Sequence, residues 1–310
     1  MNVYVHTLLQ QELVSHLQAS LSENHHLSFR TNNSPEIPES FLSAQAILGN
    51  PPLSWFETNP PKGLLFWQLD SAGFDQYKSV GTSARVANMG DWFAWPCAET
   101  IVGGVLSLYR GLNKLALLQS KQKWIGTPLR EELHLLHKKK VMVLGAGTIG
   151  LAVNSILSGF GAATTLVARS APQASVHSRE EALKVLPHSD LVINTLPGAA
   201  GKYVDAVFLQ AMKAGSVYAN VGRGSTTDEA ELIRLLSAGY LGGAVLDVTE
   251  NEPLPADSPL WGMPQVILTQ HTGGGQANED VGKANLFIEN LGRFEKDEPL
   301  LHEVDLKNGY

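Results

Sequence analysis

The chain has 310 residues, 44% of them hydrophobic and 17% charged, with a net charge of −7. That length suggests two domains with ample material for a core, and that charge argues against nucleic-acid binding, because no basic stripe would neutralise phosphates. Cys97 is the only cysteine, which excludes an intrachain disulfide and thiolate metal sites; with ten scattered histidines and no ligand spacing around His25-His26, no metal is expected.

The chain opens directly on a strand-like run, Asn2-Val3-Tyr4-Val5, without a basic leader. No stretch of about 18 apolar residues follows, so a cytoplasmic protein with no membrane span is expected. Strands at 2–6 and 27–30 flank an amphipathic helix over 8–21. A proline-bearing stretch (Ser34-Pro35, Ile37-Pro38) leads to strands at 44–48, 64–69 and 85–88, an alternation that predicts an α/β sheet. The turn from Asp70 to Asp75 lies at the carboxyl end of a strand, where open α/β sheets place ligands, although a plain loop reads the same. An aromatic-rich loop, Gly90 to Pro96, follows, and its Trp92, Phe93 and Trp95 either wall a pocket or belong to the core. A long helix is predicted from Glu99 to about Leu118 as the connector into the second domain. After it comes a polar, irregular arm over 119–129, a candidate subunit contact.

From Lys140 the pattern repeats strand, loop and helix, with strands near 141–144, 164–168, 190–194, 216–220, 242–246 and 265–268. Helices fall around 180–186, 205–212 and 228–238, and six strands in this alternation predict a doubly wound parallel sheet of Rossmann type. A last helix over 278–294 leaves this domain and is placed to return to the first unit. The expected division is residues 1–98 plus 276–310 for substrate and 99–275 for a dinucleotide.

The stretch Val141 to Leu144 followed by Gly145-Ala146-Gly147-Thr148-Ile149-Gly150 organises the second domain. A strand before the Gly-x-Gly-x-x-Gly, a helix after it and another strand about 20 residues on are the context that makes this a dinucleotide-binding turn. The amides opening the helix would face the pyrophosphate. Three later strand ends carry ionisable residues: Asn220-Val221-Gly222-Arg223-Gly224-Ser225, Asp247 to Pro255, and Thr269-Gln270-His271-Thr272 to Gly275. Taken singly, each has an ordinary structural reading, such as a surface cation, a turn cap or a core histidine. Together, an arginine, a carboxylate and an imidazole at successive carboxyl ends suit carbonyl chemistry.

These motifs, with Ser71-Ala72-Gly73-Phe74-Asp75, Leu196-Pro197, Glu252-Pro253-Leu254-Pro255 and Ser258-Pro259-Leu260-Trp261, resemble the D-isomer-specific 2-hydroxyacid dehydrogenases. The chain looks most like their glyoxylate/hydroxypyruvate reductase branch. The resemblance implies two Rossmann-like domains, the substrate domain being the smaller and flavodoxin-like, and a homodimer. It implies that Arg223 holds the substrate's carboxylate and keto oxygen and that Glu252 pairs with His271, the proton donor. It further implies that Ala72 and Gly73 amides bind the substrate carboxylate, that Asp247 contacts the nicotinamide carboxamide, and that Leu196 and Pro197 line the adenosine side. A carboxylate beside an imidazole favours its protonated form, and a guanidinium matches a carboxylate with two parallel donors. Two positions depart from the family pattern: Gln270 stands where proline is usual, and Thr249 where an aromatic is common.

NAD enzymes of this fold usually carry an acid at the end of the second strand for the ribose hydroxyl. Here that strand ends in Ala168-Arg169-Ser170. A missing acid and a present cation favour NADPH, with NAD still possible. The expected function is reduction of a small 2-keto acid such as glyoxylate or hydroxypyruvate. The alternatives are a family member acting on larger 2-hydroxy acids and a catalytically silent nucleotide-sensing scaffold.

Overall fold

A computed structural model describes residues 1–30 and 36–308. The Ser34-Pro35 step of the sequence reading lies outside the described residues. The chain divides into two compact units, Met1–Trp92 with Gln276–Tyr310, and Phe93–Gly275.

The first unit begins β1 (Asn2–Val5), α1 (Gln11–Leu21), β2 (His26–Phe29), α2 (Glu39–Leu42), β3 (Ala46–Leu48), α3 (Leu53–Thr58), β4 (Phe66–Gln68) and β5 (Arg85–Ala87). The predicted first helix starts three residues late, at Gln11. α2 and α3 were not anticipated: each is short and begins after a proline, Pro38 and Pro52, whose extended backbone opens the helix. The strands pair in parallel in the order β2-β1-β3-β4-β5. Residues alternate across the sheet, so Tyr4, Ile47 and Trp67 enter one core and Val5, Leu48 and Phe66 the other. On the first face Phe56 stacks on Trp67 with ring centroids 4.5 Å apart.

The second unit opens with α4 (Ala94–Tyr109) and α5 (Leu112–Ser120). The single long helix expected from Glu99 is therefore two helices, the first beginning five residues earlier. They bend by 70° at a break where Gly111 takes φ +64°, a left-handed conformation that glycine adopts without a Cβ clash. No single helix among the described residues is long and apolar enough to cross a membrane; α4 and α5 pass that test only as a bent pair. The arm over 119–129 is less irregular than expected, since it holds the end of α5 and the start of a 3₁₀ turn over Thr127–Glu132.

Six parallel strands follow: β6 (Lys140–Leu144), β7 (Ala163–Val167), β8 (Leu191–Asn194), β9 (Val217–Asn220), β10 (Gly243–Leu246) and β11 (Val266–Leu268). Between them lie α6 (Thr148–Gly159), α7 (Arg179–Val185), α8 (Ala206–Gln210) and α9 (Glu229–Ser237). Their order is β7-β6-β8-β9-β10-β11, so the direction of winding reverses between β6 and β8, where such sheets open a crevice. Helices cover both faces. Val141, Val143 and Ile193 pack with Ile101, Val105 and Val153 on one side, and Met142, Leu144 and Tyr218 with Phe208, Leu232 and Leu236 on the other. The chain then re-enters the first unit as α10 (Glu279–Glu295), whose Phe287 stacks against Phe66, and as β12 (Glu303–Val304), which joins β5 as an antiparallel edge.

Candidate active site

At the end of β6 the chain turns through Gly145, φ +101°, where a Cβ would stand 2.6 Å from Oγ1 of Thr195. A Cβ on Gly150 would run into the carbonyl oxygen of Gly145, so α6 seats against its own strand only with glycine there. Gly147 caps α6, and its missing Cβ faces open space. The first amides of α6, from Thr148 and Ile149, have no preceding helical turn to accept from them. Thr195 Oγ1 donates to the Leu144 carbonyl at 2.9 Å and stiffens the turn from the neighbouring strand. This concave, amide-lined turn fits a pyrophosphate. Ala146 lies inside it. Arg169 and Ser170 follow β7 and are exposed. Leu196 is tied back by its amide to Oδ1 of Asn194 at 3.0 Å, and Pro197 begins the next 3₁₀ turn.

Arg223 sits at the end of β9, in a loop built on buried polar side chains. The Gly222 amide donates to Oδ1 of Asn220 at 2.9 Å, and Thr226 Oγ1 donates to the Arg223 carbonyl at 2.6 Å. Asn194 Nδ2 bonds Tyr218 Oη and Thr226 Oγ1, and Tyr218 Oη lies 2.6 Å from Thr227 Oγ1. A Cβ on Gly222 would collide with the Leu196 backbone, and one on Gly224 with the Thr249 carbonyl, so the two glycines pack three strand-end loops together. Val221 is buried at the start of this loop.

Asp247, Thr249, Glu252, Gln270 and His271 share one cavity of about 410 Å³, completed by apolar side chains including Leu254 and Trp261. His271 Nδ1 lies 2.6 Å from Oε2 of Glu252. The other oxygen of that carboxylate accepts the Thr249 amide at 3.0 Å. Both departures from the family pattern therefore line the cavity beside the histidine. Gln270 has φ +54°, a conformation closed to proline, whose ring fixes φ near −65°. Arg223 and Asp247 both act on the buried thiol of Cys97: burial chiefly, then the charge of Asp247, push it up to about 12, with Arg223 opposing.

The first unit carries its own polar turn after β4. Ser71 Oγ donates to the Gly73 carbonyl at 2.7 Å, Asn50 Nδ2 donates to Ser71 Oγ at 2.9 Å, and Asn88 Nδ2 donates to the Ala72 carbonyl at 2.7 Å. The carbonyls of Ala72 and Gly73 are thus engaged while their amides bond to none of the described residues. Asp70 is held by Thr7 Oγ1 at 2.8 Å, and burial raises its carboxyl above the usual range. Of the aromatic loop, Trp92 packs on Gly282 of α10, Phe93 lies against Gly274, and Trp95 is exposed inside α4.

The sequence reading assigned no role to Asn50, Asn88, Asn194, Asn220 and Thr269, which hold these loops. A signal was present for two of them: Asn194 and Asn220 each end an otherwise apolar strand, and a buried amide there requires partners.

A doubly wound parallel sheet with a phosphate-sized glycine turn on one strand, and an arginine and a histidine–glutamate pair on three others, defines a nicotinamide-dinucleotide-dependent dehydrogenase. Residues 102–273 match the family described as D-isomer specific 2-hydroxyacid dehydrogenase, NAD binding domain, and the chain belongs to that family. It is 31% identical over 261 residues to an uncharacterized protein of the proB 3′ region of Corynebacterium melassecola, covering 81% of this chain and 85% of that one. It is 30% identical over 220 residues to a glyoxylate/hydroxypyruvate reductase A of Salmonella heidelberg, 68% of each. Among solved structures, a D-isomer specific 2-hydroxyacid dehydrogenase from Xanthobacter autotrophicus, in complex with NADPH and MES, superposes with a TM-score of 0.81 at 25% identity over 99% of both chains.

Proposed function

We propose that this protein is an NADPH-preferring reductase of small 2-keto acids, glyoxylate and hydroxypyruvate foremost. The observation that carries the chemistry is the 2.6 Å contact between His271 and Glu252 at a strand end two strands from Arg223. The bound nicotinamide would supply the hydride. Arg223 binds the carboxylate of the acid and turns its keto oxygen towards the imidazole. His271 gives that oxygen a proton from Nε2, while Glu252, fixed on Nδ1, stabilises the charged ring from behind. Glu252 itself holds its place through the Thr249 amide.

The Gly145–Gly150 turn, with Thr148 and Ile149 at its helix start, would hold the pyrophosphate; Leu196, Pro197 and Val221 would border the dinucleotide. Arg169, exposed where NAD enzymes carry an acid, supports the phosphorylated form. The NADPH named with the Xanthobacter structure and the activity named for the Salmonella relative support the same reading. The amides of Ala72 and Gly73, which bond to none of the described residues, are suited to bind an oxyanion. A homodimer is supported by exposed Leu115, Leu117, Trp124 and Ile125 on α5 and the arm after it. Steady-state turnover of a keto-acid panel with NADPH and NADH tests the function. Absence of turnover of glyoxylate and hydroxypyruvate with both cofactors would overturn it.

A further inference from the structure

Asp247 is 4% exposed, and a buried carboxylate persists only where hydrogen bonds satisfy it. Its backbone amide donates to the Asn220 carbonyl at 2.9 Å, while its carboxylate and its carbonyl face one short turn after β11. Oδ1 accepts from Thr269 Oγ1 at 2.6 Å and from the Gly273 amide at 2.9 Å. Its main-chain carbonyl accepts the His271 amide at 2.6 Å. Asp247 thus grips the turn at its first, middle and last residues. The residue after Asp247 is already committed to the core, because Val248 is buried, so the carboxylate has a fixed base.

Within the gripped turn, Gln270 and His271 take φ of +54° and +55°. Two consecutive non-glycine residues in the left-handed region hold only where their surroundings over-determine them. Asp247 supplies that constraint, and Gly273 allows it: a Cβ there would stand 2.7 Å from Oδ2. The Gly273 carbonyl also accepts Thr100 Oγ1 of α4 at 3.2 Å, which anchors the turn on a helix. The outcome is the direction of the imidazole, with Nδ1 aimed at Glu252.

We infer that Asp247 is a positioning residue for His271, acting through Thr269 and Gly273. This rests on the functional reading above, in which His271 is the proton donor, and it differs from a role for Asp247 in contacting the nicotinamide. The two separate at Thr269, whose hydroxyl is spent on Asp247. Replacing that hydroxyl by a methyl group loosens the turn and leaves the Asp247 carboxylate in place.

The test compares wild type with Thr269→Val, Thr269→Ser and Gly273→Ala in steady-state kinetics. Thr269→Val is expected to lower kcat about 10- to 100-fold, the scale set by displacing a catalytic group by an ångström, with KM for NADPH within about twofold. Thr269→Ser keeps a donor and should recover most of the rate, and Gly273→Ala should repeat the loss. A wild-type kcat in Thr269→Val, or a raised cofactor KM with kcat intact, overturns the inference. Hydrogen exchange on the wild-type protein gives a reading that needs no variant. The His271 amide should exchange as slowly as the sheet, and rapid exchange also overturns the proposal. If the wild type reduces no 2-keto acid, the functional reading fails, and the exchange measurement still decides whether Asp247 holds the turn.

Discussion

Nδ1 of His271 stands 2.6 Å from Oε2 of Glu252, and the same carboxylate is tied through Oε1 to the Thr249 amide at 3.0 Å. The histidine side chain is 53% exposed, so the pair contributes little to folding by itself; its worth is in orientation and charge. His271→Ala should lose about 10²–10⁴ in turnover with cofactor affinity nearly unchanged. Kinetics alongside direct NADPH titration measure both, and a rate like wild type removes His271 from the proton-donor role.

Glu252→Gln keeps the shape of the pair but removes the charge that favours imidazolium. Turnover in this variant should fall while NADPH affinity stays near that of wild type. Steady-state kinetics beside direct NADPH titration decide it, and a wild-type kcat would leave Glu252 without an electrostatic role.

On the function proposed above, cofactor choice turns on Arg169. Losing a charge-assisted hydrogen bond of about 1.5–3 kcal/mol should weaken NADPH roughly 10- to 150-fold. Arg169→Ala is expected to raise KM for NADPH and leave NADH nearly alone; Arg169→Asp should go further by offering an acceptor to a ribose hydroxyl. The quantity to follow is the ratio of kcat/KM for the two cofactors. A wild type that already prefers NADH makes Arg169 a surface residue.

His6, at the end of β1, is held down at about 4, chiefly by burial and then by the charge of Arg30, whose Nη1 donates to His6 Nε2 at 2.7 Å. Its folded value lies below the ordinary 6.5, so the unfolded chain binds the extra proton first as pH falls. Stability from this group is therefore complete above about 6.5 and is lost between there and about 4, up to about 3 kcal/mol in all. Urea denaturation at pH 7.5 and 4.5 should show a smaller loss for His6→Gln than for wild type; equal losses would assign the acid sensitivity elsewhere.

Cys97, buried in α4 with its thiol pushed up to about 12, should react with thiol reagents on the order of 10³-fold more slowly in the native protein than in urea. Prompt stoichiometric labelling of the native protein would contradict the closed packing of that helix.

The second unit was the more legible in the sequence, because its parallel strands are buried on both faces and read as continuous apolar runs: Val141 to Leu144, Leu191 to Ile193 and Ala244 to Leu246 all fall where expected. Glycine positions carried the turn at Gly145. The bend at Gly111 was missed because apolar positions at helical spacing run through it from Ile101 to Leu115, and one glycine inside such a pattern is usually tolerated. The chemical residues could be named from their loops, but the local backbone could not. Nothing in the types Gln270 and His271 announces two left-handed residues in succession, since that conformation is imposed by partners more than 20 residues away in sequence.

The strand order places β7 at one edge and β11 at the other, with four strands between. At about 4.8 Å per strand spacing, the Arg169 end and the His271 end of the sheet are roughly 24 Å apart. Changes at the two ends share no contact, so their free-energy effects should add within about 0.5 kcal/mol. With the roles proposed for Arg169 and His271, selection could then exchange one nicotinamide cofactor for the other at the β7 edge without retuning proton transfer, and an engineer could do the same in either order.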